Sequence, residues 1–293
     1  MSVTQPISSD PEGPRIDWWL YPDRVGDGIF VSPASSLPLS RVFGGRFLAE
    51  ALVSAGQDAP EGFVVTALSG QFLRVGNVDR PIRYEVEQLR NGRSVATRIV
   101  RAMQDDVLLA LFMVSLAAAR PSPDNQRAMP DVPGPDALAD QAVHRDAIAV
   151  SNPALHRLLW WREHPLEVRP VTTADWSKGG DDMFAFWFRA SPPLPGNDRL
   201  ARSALVAYAS DRFVLTTALL QQSSLPESGG VTLATIGHSL WLHRDYEPGS
   251  WLLSCVQSRS IADSRAFVRS EIFAANGDHV ASMGQEGLIV PKS

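Results

Sequence analysis

Cysteine is nearly absent: Cys255 stands alone among 293 residues. An intramolecular disulfide and a cysteine-based metal cluster are therefore both excluded. Long apolar runs are missing too. The longest uncharged one, Val107 to Ala119 (VLLALFMVSLAAA), has thirteen residues, whereas a membrane-spanning helix needs about twenty, so it is read as a core element and no membrane is expected as a partner. Charge of one sign is nowhere concentrated. The chain has 27 Lys and Arg against 32 Asp and Glu, a net −5, with no basic run that would follow a nucleic-acid backbone. An anionic ligand would have to be held by local basic groups, since the global field does not attract it. The N-terminus, MSVTQPISSDPEGPRID, has early acids and no apolar stretch, unlike a signal or transit peptide, and the chain reads as cytoplasmic. There is no phosphate loop, no dinucleotide fingerprint and no Gly-x-Ser-x-Gly elbow. His156 and His164 stand eight apart in a Trp-rich segment without the carboxylates a metal site would add. No metal or cofactor is expected, and a hydrolase made from this chain has to activate water directly.

What is present is ample core material. Hydrophobic residues make up 44% and charged ones 20%, the mixture of a soluble globular chain, and the length suits about two domains. Residues 17–120 form a first block after a loose tail. In 121–135, five of fifteen residues are proline, which neither a helix interior nor a central strand tolerates, so 121–164 reads as linker and connecting segment. A second block spans 165–293. Each block shows a helix followed by a meander. Phe43, Phe47, Leu48, Ala51, Leu52 and Ala55 fall at helical spacing within Phe43–Asp58, and strand-like runs follow at 63–74, 80–90, 94–104 and 107–118. Asn197 to Gln221 reads as one helix, followed by strands at 231–243, 250–260, 264–275 and 279–290. Ala275-Asn276-Gly277-Asp278 is a hairpin turn. Thr66 to Arg74 can be laid against Thr235 to His243, pairing Phe72-Leu73 with Trp241-Leu242. Repeated element order points to duplication, and each unit to a helix wrapped by a curved sheet, an α+β architecture.

Asp211 is the most informative residue. It falls on a stripe of Leu200, Ala204, Ala207, Val214, Leu215 and Ala218, where a carboxylate is costly unless hydrogen-bonded and where burial would raise its pKa, as suits a general base. A helix break at Ser210-Asp211, with the acid as a cap, accounts for the pattern equally well. Strand alternation puts Thr235 on one face and His238 on the other, so the two are not expected in one site, and His238 reads as a satisfied core histidine. Gln285, on the largely apolar face of the last strand, needs partners if buried. Gly44-Gly45 opens the first helix and could let a ligand approach its amides. Arg259, Arg265 and Arg269 cluster near the end of the chain, where bidentate contact with phosphate is open to them.

Taken in order, Arg41-Val42-Phe43-Gly44-Gly45, Phe72-Leu73-Arg74, Tyr208-Ala209-Ser210-Asp211, Ala234-Thr235-Ile236, Ala266-Phe267-Val268-Arg269 and Gln285-Glu286-Gly287 resemble the type II (TesB-like) acyl-CoA thioesterases. The likeness covers roughly residues 40–120 and 165–290. It implies a double hotdog, two helix-wrapped antiparallel sheets fused in one chain, and hydrolysis of acyl-CoA to free acid and CoA. It implies Asp211, Thr235 and Gln285 as the catalytic set, Asp211 taking the proton of a water that the other two orient. Gly45 and Arg265 are read as substrate-binding. Gly237 and Arg46 stand where family members commonly have Asp and Gln, and Trp160-Trp161 does not obviously follow the family. Two other functions are weighed. One is a non-catalytic acyl-CoA-binding hotdog protein. The other is an enoyl-CoA hydratase, suggested by Asn152-Pro153 and His156, although Ser151 stands where its acid belongs. A homo-oligomer is compatible with hotdog units, which usually pair through their sheets.

Overall fold

The helical spacing after Phe43 is expressed as α1 (Gly44–Gln57), buried over most of its length. The computed structural model describes residues 20–34, 41–118, 120, 123–151, 156, 165–171, 183–194, 196–220 and 230–291. Trp160-Trp161 and His164 lie outside these residues. Before α1 come two short strands, β1 (Asp23–Gly26) and β2 (Ile29–Ser32), and after it the meander β3 (Phe63–Phe72), β4 (Ile82–Asn91), β5 (Val95–Gln104) and β6 (Val107–Ala118). Helix α2 (Gln141–Ser151) follows the proline-rich stretch. The second half opens on β7 (Leu166–Pro170) and β8 (Phe184–Ala190), then α3 (Arg199–Ser210) and α4 (Val214–Leu220). It closes on β9 (Val231–Leu242), β10 (Leu252–Ala262), β11 (Arg265–Ala274) and β12 (His279–Pro291). The short strand pairs ahead of each long helix, at four to seven residues, are too brief for a period-two signal to stand out.

All twelve strands join one antiparallel sheet in the order β1-β2-β4-β5-β6-β3-β9-β12-β11-β10-β8-β7. The order is the same from either end once β7–β12 are matched to β1–β6, the signature of two like units abutting through β3 and β9. At that junction Ser69 lies opposite Ser239, their hydroxyls 2.7 Å apart. Positions 170 apart therefore correspond, one more than the sequence alignment of Thr66 with Thr235 implies. Thr66 instead matches Ile236, and both are extra residues in their strands. Val65 pairs Leu116 and Ala67 pairs Ser115 across the first. Thr235 pairs Gly287 and Gly237 pairs Glu286 across the second.

A bulge of this kind reverses which face the following residues address. It corrects the expectation that Thr235 and His238 point to opposite sides: both turn inward, toward the helices. The single helix expected over Asn197–Gln221 is also corrected. It breaks after Ser210, Asp211 taking the C-cap and Phe213 the left-handed region at φ 62. That conformation costs a non-glycine residue about 1–2 kcal/mol. It is held by tertiary packing, because the Phe213 ring meets Phe184 and Phe186 edge-on at 5.5 and 5.1 Å.

The proline-rich stretch packs as a strap across the outward face of the second half. Met129, Val132 and Leu138 cover Ala185, Trp187, Leu253, Cys255 and Phe273. Trp187 Nε1 donates to the Pro133 carbonyl at 2.9 Å and Arg169 to that of Pro135 at 2.8 Å. Gln126 bonds both the Gly277 carbonyl and the His279 amide, and Arg244 pairs with Asp124. Burial under the strap pushes the Cys255 thiol up to about 12, so it is not a thiolate. No helix among the described residues is long and apolar enough to cross a membrane.

Candidate active site

Three elements bring polar groups together beside the helix break. The inward bulge of β9 supplies Thr235 and His238, β12 supplies Gln285 opposite His238, and the turn between α3 and α4 supplies Asp211. Thr235 Oγ1 donates to Asp211 Oδ1 over a long 3.4 Å. Gln285 Nε2 donates to Thr235 Oγ1 at 3.0 Å. On its other side Gln285 Oε1 lies 2.6 Å from His238 Nδ1, and His238 Nε2 lies 3.0 Å from the hydroxyl of Ser210. Gln285, His238 and Ser210 are buried, while Asp211 and Thr235 are half-buried. Burial drives the His238 imidazole down to about 4, so it is neutral near pH 7. Arg212, buried beside Asp211, stacks its guanidinium 3.9 Å over the Phe213 ring. Desolvation lowers its pKa to about 10 although the charge of Asp211 opposes the shift; it is still a cation at neutral pH.

Gly287 lies opposite Thr235 in the β9–β12 pairing. A Cβ at Gly287 would sit 2.6 Å from the Leu215 side chain, so α4 packs directly on the strand there. The start of α1 closes the site from the other side. A Cβ at Gly44 would lie 2.5 Å from Asp211 Oδ2, which brings the first amides of a fourteen-residue helix next to the carboxylate. At Gly45 the close approach is different: its Cβ position lies 2.2 Å from the Tyr208 carbonyl, so this glycine sets how near α1 and α3 can come. Gly44→Ala is expected to displace the Asp211 carboxylate and, since about 1 Å of misplacement can cost a hundredfold, to lower kcat by that order while the fold persists. Steady-state kinetics with a parallel thermal melt check it; unchanged kcat would show that the carboxylate tolerates the shift.

The matching positions of the first half make a sharp contrast. Thr235 corresponds to Val65, His238 to Leu68, and Gln285 and Gly287, by their pairing, to Val114 and Leu116. All four are buried and apolar. Asp58, the C-cap of α1, corresponds to Asp211 but is tied to the buried Arg98, whose Nε donates at 2.8 Å. The cleft is filled as well, since a Cβ at Gly56 would lie 2.4 Å from Leu200. The fold thus offers two related clefts and equips one. Removing the charge of Arg98 leaves the Asp58 carboxylate with the Gln88 amide and only the more exposed Arg24, 3.7 Å away, so the cost approaches but does not exceed the about 3–5 kcal/mol of a broken buried pair. Arg98→Met should therefore lower the urea midpoint strongly and leave kcat near the parent's, because the residue belongs to the unequipped cleft. A kcat loss matching the loss of the equipped carboxylate would place chemistry in both clefts.

Arg265 is not brought to this group. Ala266 and Val268 are its buried neighbours, so alternation turns Arg265 outward, half exposed, where it meets Glu286 at 3.4 Å. Arg259 and Arg269 are engaged with Gln257. The two departures from the family pattern also fall away from the site. Arg46 points to the opposite side of α1 from Gly44 and bonds Glu50 at 2.8 Å, with Ser32 and Tyr84 completing a buried cluster around that carboxylate. A Cβ at Gly237 would lie 2.9 Å from Gln71 Nε2, on the outward face of β9. Sequence reasoning missed Ser210 and the involvement of His238. Ser210 stood within the Tyr208-Ala209-Ser210-Asp211 motif, but the bulge that recruits His238 leaves no mark in the local pattern.

Residues 156–288 match the family model for acyl-CoA thioesterase, and residues 33–118 that for the acyl-CoA thioesterase N-terminal domain. Acyl-CoA thioesterase 2 of Haemophilus influenzae is 30% identical over 270 residues, spanning 91% of this chain and 94% of that protein. Acyl-coenzyme A thioesterase 8 of Homo sapiens is 29% identical, over 86% of this chain and 82% of its own. Among solved structures, acyl-CoA thioesterase II TesB2 of Mycobacterium marinum superposes with a TM-score of 0.77 at 29% identity, covering 95% of this chain and 99% of that one.

Proposed function

Because the chain belongs to the type II acyl-CoA thioesterase family and is a double-hotdog acyl-CoA hydrolase, we propose that Asp211, Thr235 and Gln285 are the residues that activate its water. One observation carries this assignment: these three side chains form a continuous hydrogen-bonded run where the matching cleft of the first half holds Val65 and Val114. Of the three, Asp211 alone can take a proton near neutral pH; an amide and an unactivated hydroxyl cannot. A water held against this run gives one proton to the Asp211 carboxylate as its oxygen attacks the thioester carbonyl carbon. The carbonyl π pair moves to oxygen, and the resulting oxyanion is stabilised by the N-terminal amides and positive dipole end of α1 at Gly44 and Gly45. Collapse re-forms the carbonyl and breaks the carbon–sulfur bond, and the departing thiolate receives the proton held by Asp211. The products are free acid and CoA, and the carboxylate is regenerated.

A panel of acyl-CoA and enoyl-CoA substrates, followed by thiol release and by loss of the conjugated alkene, tests the reading. Thiol release that falls by about a hundredfold or more in Thr235 and Gln285 variants supports it. Alkene consumption without thiol release would assign the site to hydration and remove the thioester mechanism.

A further inference from the structure

We propose that His238 is a positioning residue for hydrolysis: through its Nδ1–H it fixes the amide orientation of Gln285, and thereby the direction in which Thr235 and Asp211 share their proton. This rests on the assignment of Asp211, Thr235 and Gln285 to the reaction.

Gln285 Oε1 stands 2.6 Å from His238 Nδ1, and an amide oxygen only accepts, so Nδ1 carries the hydrogen. A neutral imidazole has one N–H. Nε2 is therefore an acceptor, and the Ser210 hydroxyl, 3.0 Å away, is the donor within reach; its single hydrogen is then shared between Nε2 and the Ala207 carbonyl, which accepts from the same hydroxyl at 2.8 Å. With its oxygen engaged by His238, the Gln285 amide turns its NH2 toward Thr235 and donates to Oγ1 at 3.0 Å. The threonine hydroxyl, its oxygen accepting from the amide, is then free to direct its hydrogen to Asp211 Oδ1. Reversing the amide would place an oxygen against Thr235 Oγ1, draw the threonine hydrogen away from Asp211, and leave Asp211 without that donor. His238 reaches no reacting atom itself. Buried and flanked by Ser210, the neighbour of Asp211 in sequence, it closes a ring that begins and ends at the helix break. Its imidazole stays neutral because burial holds its pKa near 4, so the ring keeps one hydrogen-bond polarity across the ordinary pH range. The first half has the apolar Leu68 at this position, in the cleft without the catalytic set.

The test exploits the two nitrogens. In His238→Asn the side-chain NH2 falls near the place of Nδ1 and can still donate to Gln285, whereas in His238→Gln it falls near the place of Nε2 and meets Ser210 instead. The expectation is that His238→Asn keeps kcat within about tenfold of the parent. His238→Gln should lose about a hundredfold, the loss expected for an oriented donor, with KM little changed. Because the histidine acts through Gln285, adding His238→Gln to Gln285→Leu should cause almost no further loss. Equal turnover in the Asn and Gln variants, or losses that multiply with Gln285→Leu, would overturn the inference. The parent enzyme supplies a second measurement independent of how the variants fold. The 15N shifts of labelled His238 should report a neutral imidazole protonated at Nδ1, and protonation at Nε2 alone would equally overturn it. Failure of the underlying assignment looks different: Gln285→Leu would then itself turn over acyl-CoA at the parent's rate.

Discussion

Asp211→Asn should lower kcat for acyl-CoA hydrolysis by about a thousandfold or more, within the range of about 10²–10⁴ for a lost general base or acid. The substitution is nearly isosteric. Asp211 occupies the C-cap turn of α3, and its carboxylate accepts the Thr235 hydroxyl, a bond that an amide oxygen can also accept. The aromatic clamp on Phe213 that holds the turn is untouched. What disappears is a site for the proton of water and, later, a donor for the departing thiolate. Circular dichroism and the melting midpoint should barely change, and KM should change far less than kcat. Near-parental turnover in a correctly folded variant would falsify the assignment of Asp211.

The second large effect concerns Thr235 and Gln285 taken together. Both are neutral, so each acts by orientation and hydrogen bonding, and the loss of such a group typically costs about a hundred- to a thousandfold. Thr235→Val preserves the β-branched shape on the bulge of β9 and removes only the hydroxyl. Gln285→Leu removes the amide at similar volume and leaves Val268, its partner across β11, undisturbed. The amide donates directly to the hydroxyl at 3.0 Å, so deleting either already breaks what the other contributes. Non-additivity follows: the double variant should lose clearly less than the product of the two single losses. A double-variant rate equal to that product would mean that the groups work independently, and a single shared water would have to be abandoned.

The strands of both meanders, the hairpin at Ala275–Asp278 and the core face of α1 were legible because each rests on local periodicity or turn chemistry, which a sequence displays directly. Asp211 and Gln285 stood out singly as polar residues on largely apolar faces, Thr235 did not, and only the resemblance of the ordered short motifs to a family joined the three as a candidate set. The strap over β8, β10 and β11 was not legible, since five prolines forbid regular structure without saying what they pack on. Three decisions at the site belonged to the tertiary structure alone. The bulge at Ile236 arises from two paired strands and reverses the face of His238, which alternation within β9 by itself cannot show. The break at Asp211 depends on Phe184 and Phe186, more than twenty residues earlier in the chain, clamping Phe213 in a conformation that its own propensity disfavours. The choice of one equipped cleft out of two was settled by partners distant in sequence. Arg98 reaches back across 40 residues to neutralise Asp58, while Gln285 reaches across 50 to bond Thr235, and such pairings exist only once the chain has folded.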